Sequence, residues 1–222
     1  MRRSVSAPAA VDRQRRILIA GATGLVGAET VRRLLEDESV SRIVALARRP
    51  LPYESPKLDL RLTDFDHLER DAGEFQVDQL ICALGTTIRQ AESPEQFRRV
   101  DHDYTIATAR LGLERGARHC LLVSSIGANP RSRFLYPRVK GEVEEALQAM
   151  PFASLTILRP STLIGEREDR RFGEEVAKRL AWITPRKFRP VLASDVAAEL
   201  VASARADLPG VRIVESARIP RR

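Results

Sequence analysis

Arg16-Ile17-Leu18-Ile19-Ala20 runs without a break into Gly21-Ala22-Thr23-Gly24-Leu25-Val26-Gly27. The apolar run after Arg16 reads as a strand buried on both faces. The glycines that follow are spaced Gly-x-x-Gly-x-x-Gly, and from there Leu25, Val26, Val31, Leu34 and Leu35 recur at helical spacing to about Asp37. Strand, glycine turn and helix, in that order, form the phosphate-binding unit of a dinucleotide site. Glycine serves a tight turn, close approach of backbone to pyrophosphate, and close packing of helix on strand. The helix N-terminus adds free N–H groups and the positive end of its dipole. Gly21, Thr23, Gly24, Leu25, Val26 and Gly27 are therefore expected to hold a cofactor. A turn serving only chain reversal is the bland alternative, and the agreement of spacing with both flanking elements argues against it.

Outward from this unit, short β-rich runs alternate with helical patterns. Strands are expected at Arg42 to Ala47, Lys57 to Leu62, Gln79 to Leu84, Cys120 to Val123 and Ser154 to Leu158. Ser93-Pro94-Glu95 starts a helix that runs, with a bend, to Arg115, where Gly116 stops it. Another helix is expected from Pro137 to Met150. The alternation predicts an α/β chain, a doubly wound parallel sheet flanked by helices. Residues 1–14 read as a disordered leader and 15–222 as a single domain. Within it, 160–222 carries small substrate-side elements: helices near 172–183 and 194–205, an extended piece at 188–192 and a strand at 211–214.

Composition narrows the class. The 222 residues are 43% hydrophobic and 30% charged, ordinary for a globular chain. Lys and Arg number 37 against 30 acids, a net +7, but the basic residues are scattered, so no nucleic-acid partner is expected. Cys82 and Cys120 sit in apolar runs and read as core residues. His67, His102 and His119 lack ligand spacing, so no metal is expected. No apolar run approaches the ~20 residues of a membrane span. Met1 to Arg13 has the Arg and Ser of a transit peptide but is short and contains Asp12, and it lacks the apolar stretch of a secretory signal. A cytoplasmic location is expected. The run Arg167 to Arg171 reads as an exposed loop.

The end of the second strand reads Ala47-Arg48-Arg49-Pro50, where an NAD-selective site usually carries a carboxylate for the ribose 2′-hydroxyl. Two guanidiniums there suit a 2′-phosphate instead, so NADP(H) is expected over NAD(H). Asp64 has two readings, acceptor for the adenine amino group or cap of a following turn.

Tyr136 and Lys140 stand i, i+4 on one helix face, free to converge on one ligand. A nearby ammonium stabilises phenolate, which makes a tyrosine useful in proton transfer. A hydroxyl from Ser125, at the end of the preceding strand, can hold a substrate oxygen, with Ser124 as the alternative.

With the glycine turn, Ser125, Tyr136 and Lys140, the chain resembles the extended and atypical branches of the short-chain dehydrogenase/reductase superfamily. Cys82-Ala83-Leu84-Gly85-Thr86-Thr87, Phe97-Arg98-Arg99-Val100-Asp101 and Phe134-Leu135-Tyr136-Pro137-Arg138-Val139-Lys140-Gly141-Glu142 are most similar to small oxidoreductases of the Tat-interacting-protein type. The resemblance implies an NAD(P)-binding Rossmann fold with Tyr136 as acid-base. It implies Lys140 on the nicotinamide ribose and Ser125 polarising a carbonyl. Leu84, Gly85 and Thr86 would line the ribose and nicotinamide side, and Pro160 and Leu163 would back the ring. Two departures stand out. Val100-Asp101-His102 occupies the place where many relatives carry an asparagine, and only about sixty residues follow Pro160. The expected substrate is a small carbonyl or alcohol, acted on by a monomer or homodimer. A cofactor-sensing regulator and a nucleotide-sugar epimerase or dehydratase are the competing functions.

Overall fold

The computed structural model describes residues 14–52, 54–164, 185 and 188–221. The expected leader, the helix near 172–183 and the loop 167–171 lie outside these residues. Seven strands form one parallel sheet: β1 Arg15–Ala20, β2 Val40–Ala47, β3 Leu58–Leu62, β4 Gln79–Cys82, β5 His119–Val123, β6 Ser154–Arg159 and, at its edge, β9 Gly210–Glu215. Their order is β3-β2-β1-β4-β5-β6-β9, with every pairing parallel. The chain winds outward to one side as far as β3, then returns past β1 to begin β4. A crevice therefore opens beyond the carboxyl ends of β1 and β4, the switch point at which such sheets bind ligands.

The strand pleat sorts the core. Ile17 and Ile19 face α1 (Leu25–Leu35) and α6 (Ala193–Ala206), packing with Val31, Leu34, Val196 and Leu200. Leu18 and Ala20 point to the opposite face, among Val44, Leu46, Phe75 and Leu80. On that same face α4 (Tyr104–Glu114) and α5 (Leu135–Gln148) place Ala109, Val143 and Leu147 over Cys82, Cys120, Leu122 and Ile157. Each fully buried Val, Leu or Ile contributes roughly 1.5–3 kcal/mol. Both cysteines are free and buried, and the Cys120 thiol is pushed up by its neighbour Cys82 and by burial.

The expected long helix from Ser93 is divided. Ser93 caps α3 (Pro94–Arg98) by accepting from the Gln96 amide at 3.0 Å. A π-helical turn, Arg99–Asp103, then leads into α4. The wide turn falls within the stretch where the pattern anticipated a bend. A 3₁₀ stretch at Phe65–Phe75 and a one-turn α2 at Ile88–Ala91 lacked any periodic signal. α2 is closed by a Thr87/Gln90 capping box. Of the extended piece expected at 188–192, only Val191–Leu192 is strand (β8), paired with an unexpected β7 at Leu163–Ile164.

At the sheet's other end His119 is fully buried, its Nε2 3.1 Å from Thr156 Oγ1 and its Nδ1 2.9 Å from Asp207 Oδ1. Burial pushes the imidazole pKa down, against the pull of Asp207. The unfolded chain then takes up a proton at a pH where the folded protein does not. Stability is fully present above about pH 6.5 and is lost as pH falls through the lower folded value. Urea unfolding at about pH 7.5 and about pH 5.5 should show a loss on the order of 1 kcal/mol that His119→Gln largely removes. An unchanged pH slope in His119→Gln would contradict this.

Candidate active site

A cavity of about 530 Å³ opens at the switch point, between the glycine turn, the ends of β2 and β4, and the first turns of α5. Gly21 adopts φ +89, and a Cβ there would lie 2.4 Å from the Ala83 carbonyl oxygen, so the turn admits no side chain. A Cβ on Gly27 would lie 2.0 Å from the Gly21 oxygen, which lets α1 sit hard against the turn. Gly27 is thus a packing glycine behind the cavity wall. Gly21, Thr23, Gly24, Leu25 and Val26 form the wall itself. Gly24 is the N-cap of α1 and offers no side-chain cap, and the first turn contains no acid. The leading amides of α1 are left for an anion, as a pyrophosphate requires.

Arg48 and Arg49 border the cavity and are exposed, extending from the end of β2. Asp64 does not border it. Its carboxylate accepts from the Asp66 amide at 3.1 Å and lies 2.7 Å from His67 Nδ1, and these partners lower its pKa, His67 foremost. Asp64 therefore takes the capping role in place of the adenine role, because the 3₁₀ stretch begins directly after it. The aromatic pair Phe65 and Tyr104 occupies that wall instead, ring centroids 5.5 Å apart, with the Tyr104 hydroxyl donating to Asp66 Oδ1 at 2.8 Å. Burial first, then Asp66, raises the Tyr104 pKa.

Leu84, Gly85 and Thr86 line the cavity from the loop after β4, and Leu163 from β7. Pro160 is buried outside the lining, where its carbonyl accepts from the Ile126 amide at 2.8 Å. Tyr136 and Lys140 both reach the cavity from one face of α5. The Tyr136 ring rests on Phe97 at 5.6 Å, among Ala91 and Val139. Lys140 Nζ lies 2.7 Å from Asp101 Oδ1, and Asp101 Oδ2 accepts from the Thr86 amide at 2.8 Å. Asp101 is thus a charged group tied to two elements of the site.

The two serines divide differently from expectation. Ser124 borders the cavity, yet its hydroxyl donates to buried Glu144, which also holds Arg159 Nε at 3.0 and 3.1 Å. Ser125 lies outside the lining, its hydroxyl directed to the Ile126 carbonyl at 3.3 Å. The Ser124 hydroxyl is committed to structure, so Ser125 keeps the weaker internal bond of the two. Asp101, Phe65, Tyr104 and Gln90 are wall residues that sequence reasoning did not assign. Of these only Asp101 lay in a stretch already singled out, Val100-Asp101-His102, and no role was assigned to it there. Among the described residues no group of His, Cys, Asp and Glu could hold a metal ion, and no helix is long and apolar enough to cross a membrane.

Residues 17–186 match the model of the NAD dependent epimerase/dehydratase family, and the chain belongs to that family. Protein FMP52, mitochondrial, of Eremothecium gossypii is 37% identical over 91% of this chain and 94% of its own length. Protein HTATIP2 of Rattus norvegicus is 35% identical over 73% of this chain and 69% of its own, in keeping with the Tat-interacting-protein resemblance. Among solved structures, MoeE5 in complex with UDP-glucuronic acid and NAD aligns with TM-score 0.71 at 19% identity, over 89% of this chain and 75% of that one. WbmH of Bordetella bronchiseptica in complex with NAD+ gives TM-score 0.71 at 13% identity, over 91% and 76%. The likeness establishes the NAD-binding Rossmann fold. The cytoplasmic expectation is corrected by the relatives named mitochondrial, in Eremothecium gossypii, Lodderomyces elongisporus and Emericella nidulans.

Proposed function

We propose that this protein is an NADP(H)-preferring oxidoreductase of the short-chain dehydrogenase/reductase type, acting on a small carbonyl or alcohol. One observation carries the reading: the uncapped glycine turn, the Arg48–Arg49 pair and the Tyr136–Lys140 pair all open into one cavity. The free α1 amides and the absence of acid in its first turn fit a dinucleotide pyrophosphate. Arg48 and Arg49 supply charge and paired donors for a 2′-phosphate. Leu84, Gly85, Thr86 and Leu163 flank the nicotinamide end, with Pro160 buried outside the lining.

A nicotinamide dinucleotide held by the glycine turn and by Arg48 and Arg49 would supply the hydride chemistry when bound. Tyr136 gives its hydroxyl proton to the substrate oxygen in reduction and removes it in oxidation. The Phe97 contact fixes the plane of its ring. Lys140 holds the ribose side and steadies charge beside the phenol, and Ser125 anchors the substrate oxygen by turning from its weak bond to the Ile126 carbonyl. The substrate side belongs to the C-terminal part of a single domain, and of its described residues Leu163 borders the cavity. A monomer or homodimer suffices, and the mitochondrial names of the relatives support a mitochondrial location.

Consumption of NADPH across a panel of aldehydes and ketones tests the reading. Saturable oxidation of NADPH with at least one carbonyl is expected. Tight dinucleotide binding with no turnover on any of them would instead favour a cofactor-sensing role. Membership of the NAD dependent epimerase/dehydratase family and the UDP-glucuronic acid bound to MoeE5 favour a second reading, an epimerase or dehydratase acting on a nucleotide-linked sugar. It would be distinguished by conversion of a UDP-sugar without net consumption of cofactor.

A further inference from the structure

The charge of Lys140 is already answered inside the protein. Its side chain is 7% exposed and that of Asp101 0%, so the pair sits in a low-dielectric wall. Asp101 Oδ1 approaches Nζ to 2.7 Å outside hydrogen-bond geometry, and among the described residues it has no hydrogen-bond donor. A Cβ on Gly85 would stand 3.6 Å from Oδ1 and 3.8 Å from Nζ. Both charged atoms therefore lie beside Gly85. Other charged groups on the adjoining elements have partners of their own: Arg98 with Glu142, Arg99 with Asp66 and Glu144 with Arg159. Within the Asp101–Lys140 pair itself the charges sum to zero, while Arg48 and Arg49, which also border the cavity, extend from the end of β2.

Granted the dinucleotide site proposed above, we infer that Asp101 is a positioning residue that sets the protein's preference between oxidised and reduced dinucleotide. An oxidised nicotinamide ring carries a positive charge and a reduced ring is neutral. A paired ammonium admits the cation without penalty, whereas an unpaired one in the same wall repels it. The carboxylate also fixes the Thr86 amide, which keeps the loop after β4 against the cavity. Asparagine at this position would retain that acceptor and the side-chain shape while removing the compensating charge.

Calorimetric titration with NADP+ and with NADPH, without substrate, tests this on the wild type and on Asp101→Asn. The ratio of Kd for NADP+ to Kd for NADPH should rise about tenfold in Asp101→Asn, some 1.4 kcal/mol. Lys140→Met leaves the carboxylate alone and should move the ratio the opposite way, which keeps the test open should Asp101→Asn fail to fold. Equal weakening of both forms in these variants would overturn the inference and leave Asp101 a packing residue. A wild type that binds neither form would remove the dinucleotide site itself, and the inference with it.

Discussion

Tyr136→Phe is expected to bind NADPH as the wild type does while losing about two to four orders of magnitude in kcat. The substitution removes one oxygen and keeps the ring, so the contact with Phe97 and the packing against Ala91 and Val139 survive. What is lost is the proton given to or taken from the substrate oxygen. Fold and cofactor binding should therefore stay while chemistry disappears, a separation that a merely structural tyrosine would not give. Stopped-flow or steady-state NADPH oxidation beside fluorescence titration measures both quantities on one sample. A Tyr136→Phe protein with full turnover would end the acid-base assignment.

The second large effect concerns selectivity. Arg48→Ala/Arg49→Ala should weaken NADPH binding by about 10- to 100-fold and leave NADH binding nearly unchanged. Both guanidiniums are exposed at the rim of the cavity, and neither belongs to an ion pair among the described residues, so their removal spares the fold. The estimate assumes charge-assisted hydrogen bonds to a phosphate, which exceed neutral ones. Parallel titrations with both dinucleotides give the ratio directly. Equal affinity of the wild type for NADH and NADPH would show that the two arginines are only a solvated strand end.

The sheet was legible because its signals are local. Ile17 to Ala20, Ile43 to Ala47 and Leu121 to Val123 are apolar runs that only a doubly covered strand can bury, and all of them lie in the core. The glycine turn was legible because Gly21 and Gly27 answer steric demands that no other residue meets. The features that escaped depend on distant partners. The π-helical turn Arg99–Asp103 has the composition of ordinary helix, and its register reflects what packs on it. β7 and β8 are two residues each, too short to show a period.

The site divides along the same line. Tyr136 and Lys140 share a helix face, so their convergence follows from spacing alone. Asp101 meets Lys140 across 39 positions (140 − 101), and only the fold brings them within 2.7 Å. Ser124 and Ser125 are indistinguishable in sequence; the difference between them is Glu144, contributed by α5. Asp64 had two local readings, and the His67 and Asp66 partners that decide between them belong to a 3₁₀ stretch without periodic pattern.

A crystal structure grown with NADPH tests the central claim most directly. The pyrophosphate is expected at the α1 amides, the 2′-phosphate against Arg48 and Arg49, and the nicotinamide ring beside the Tyr136 hydroxyl. Dinucleotide density outside this cavity, or a nicotinamide ring turned away from Tyr136, would contradict it.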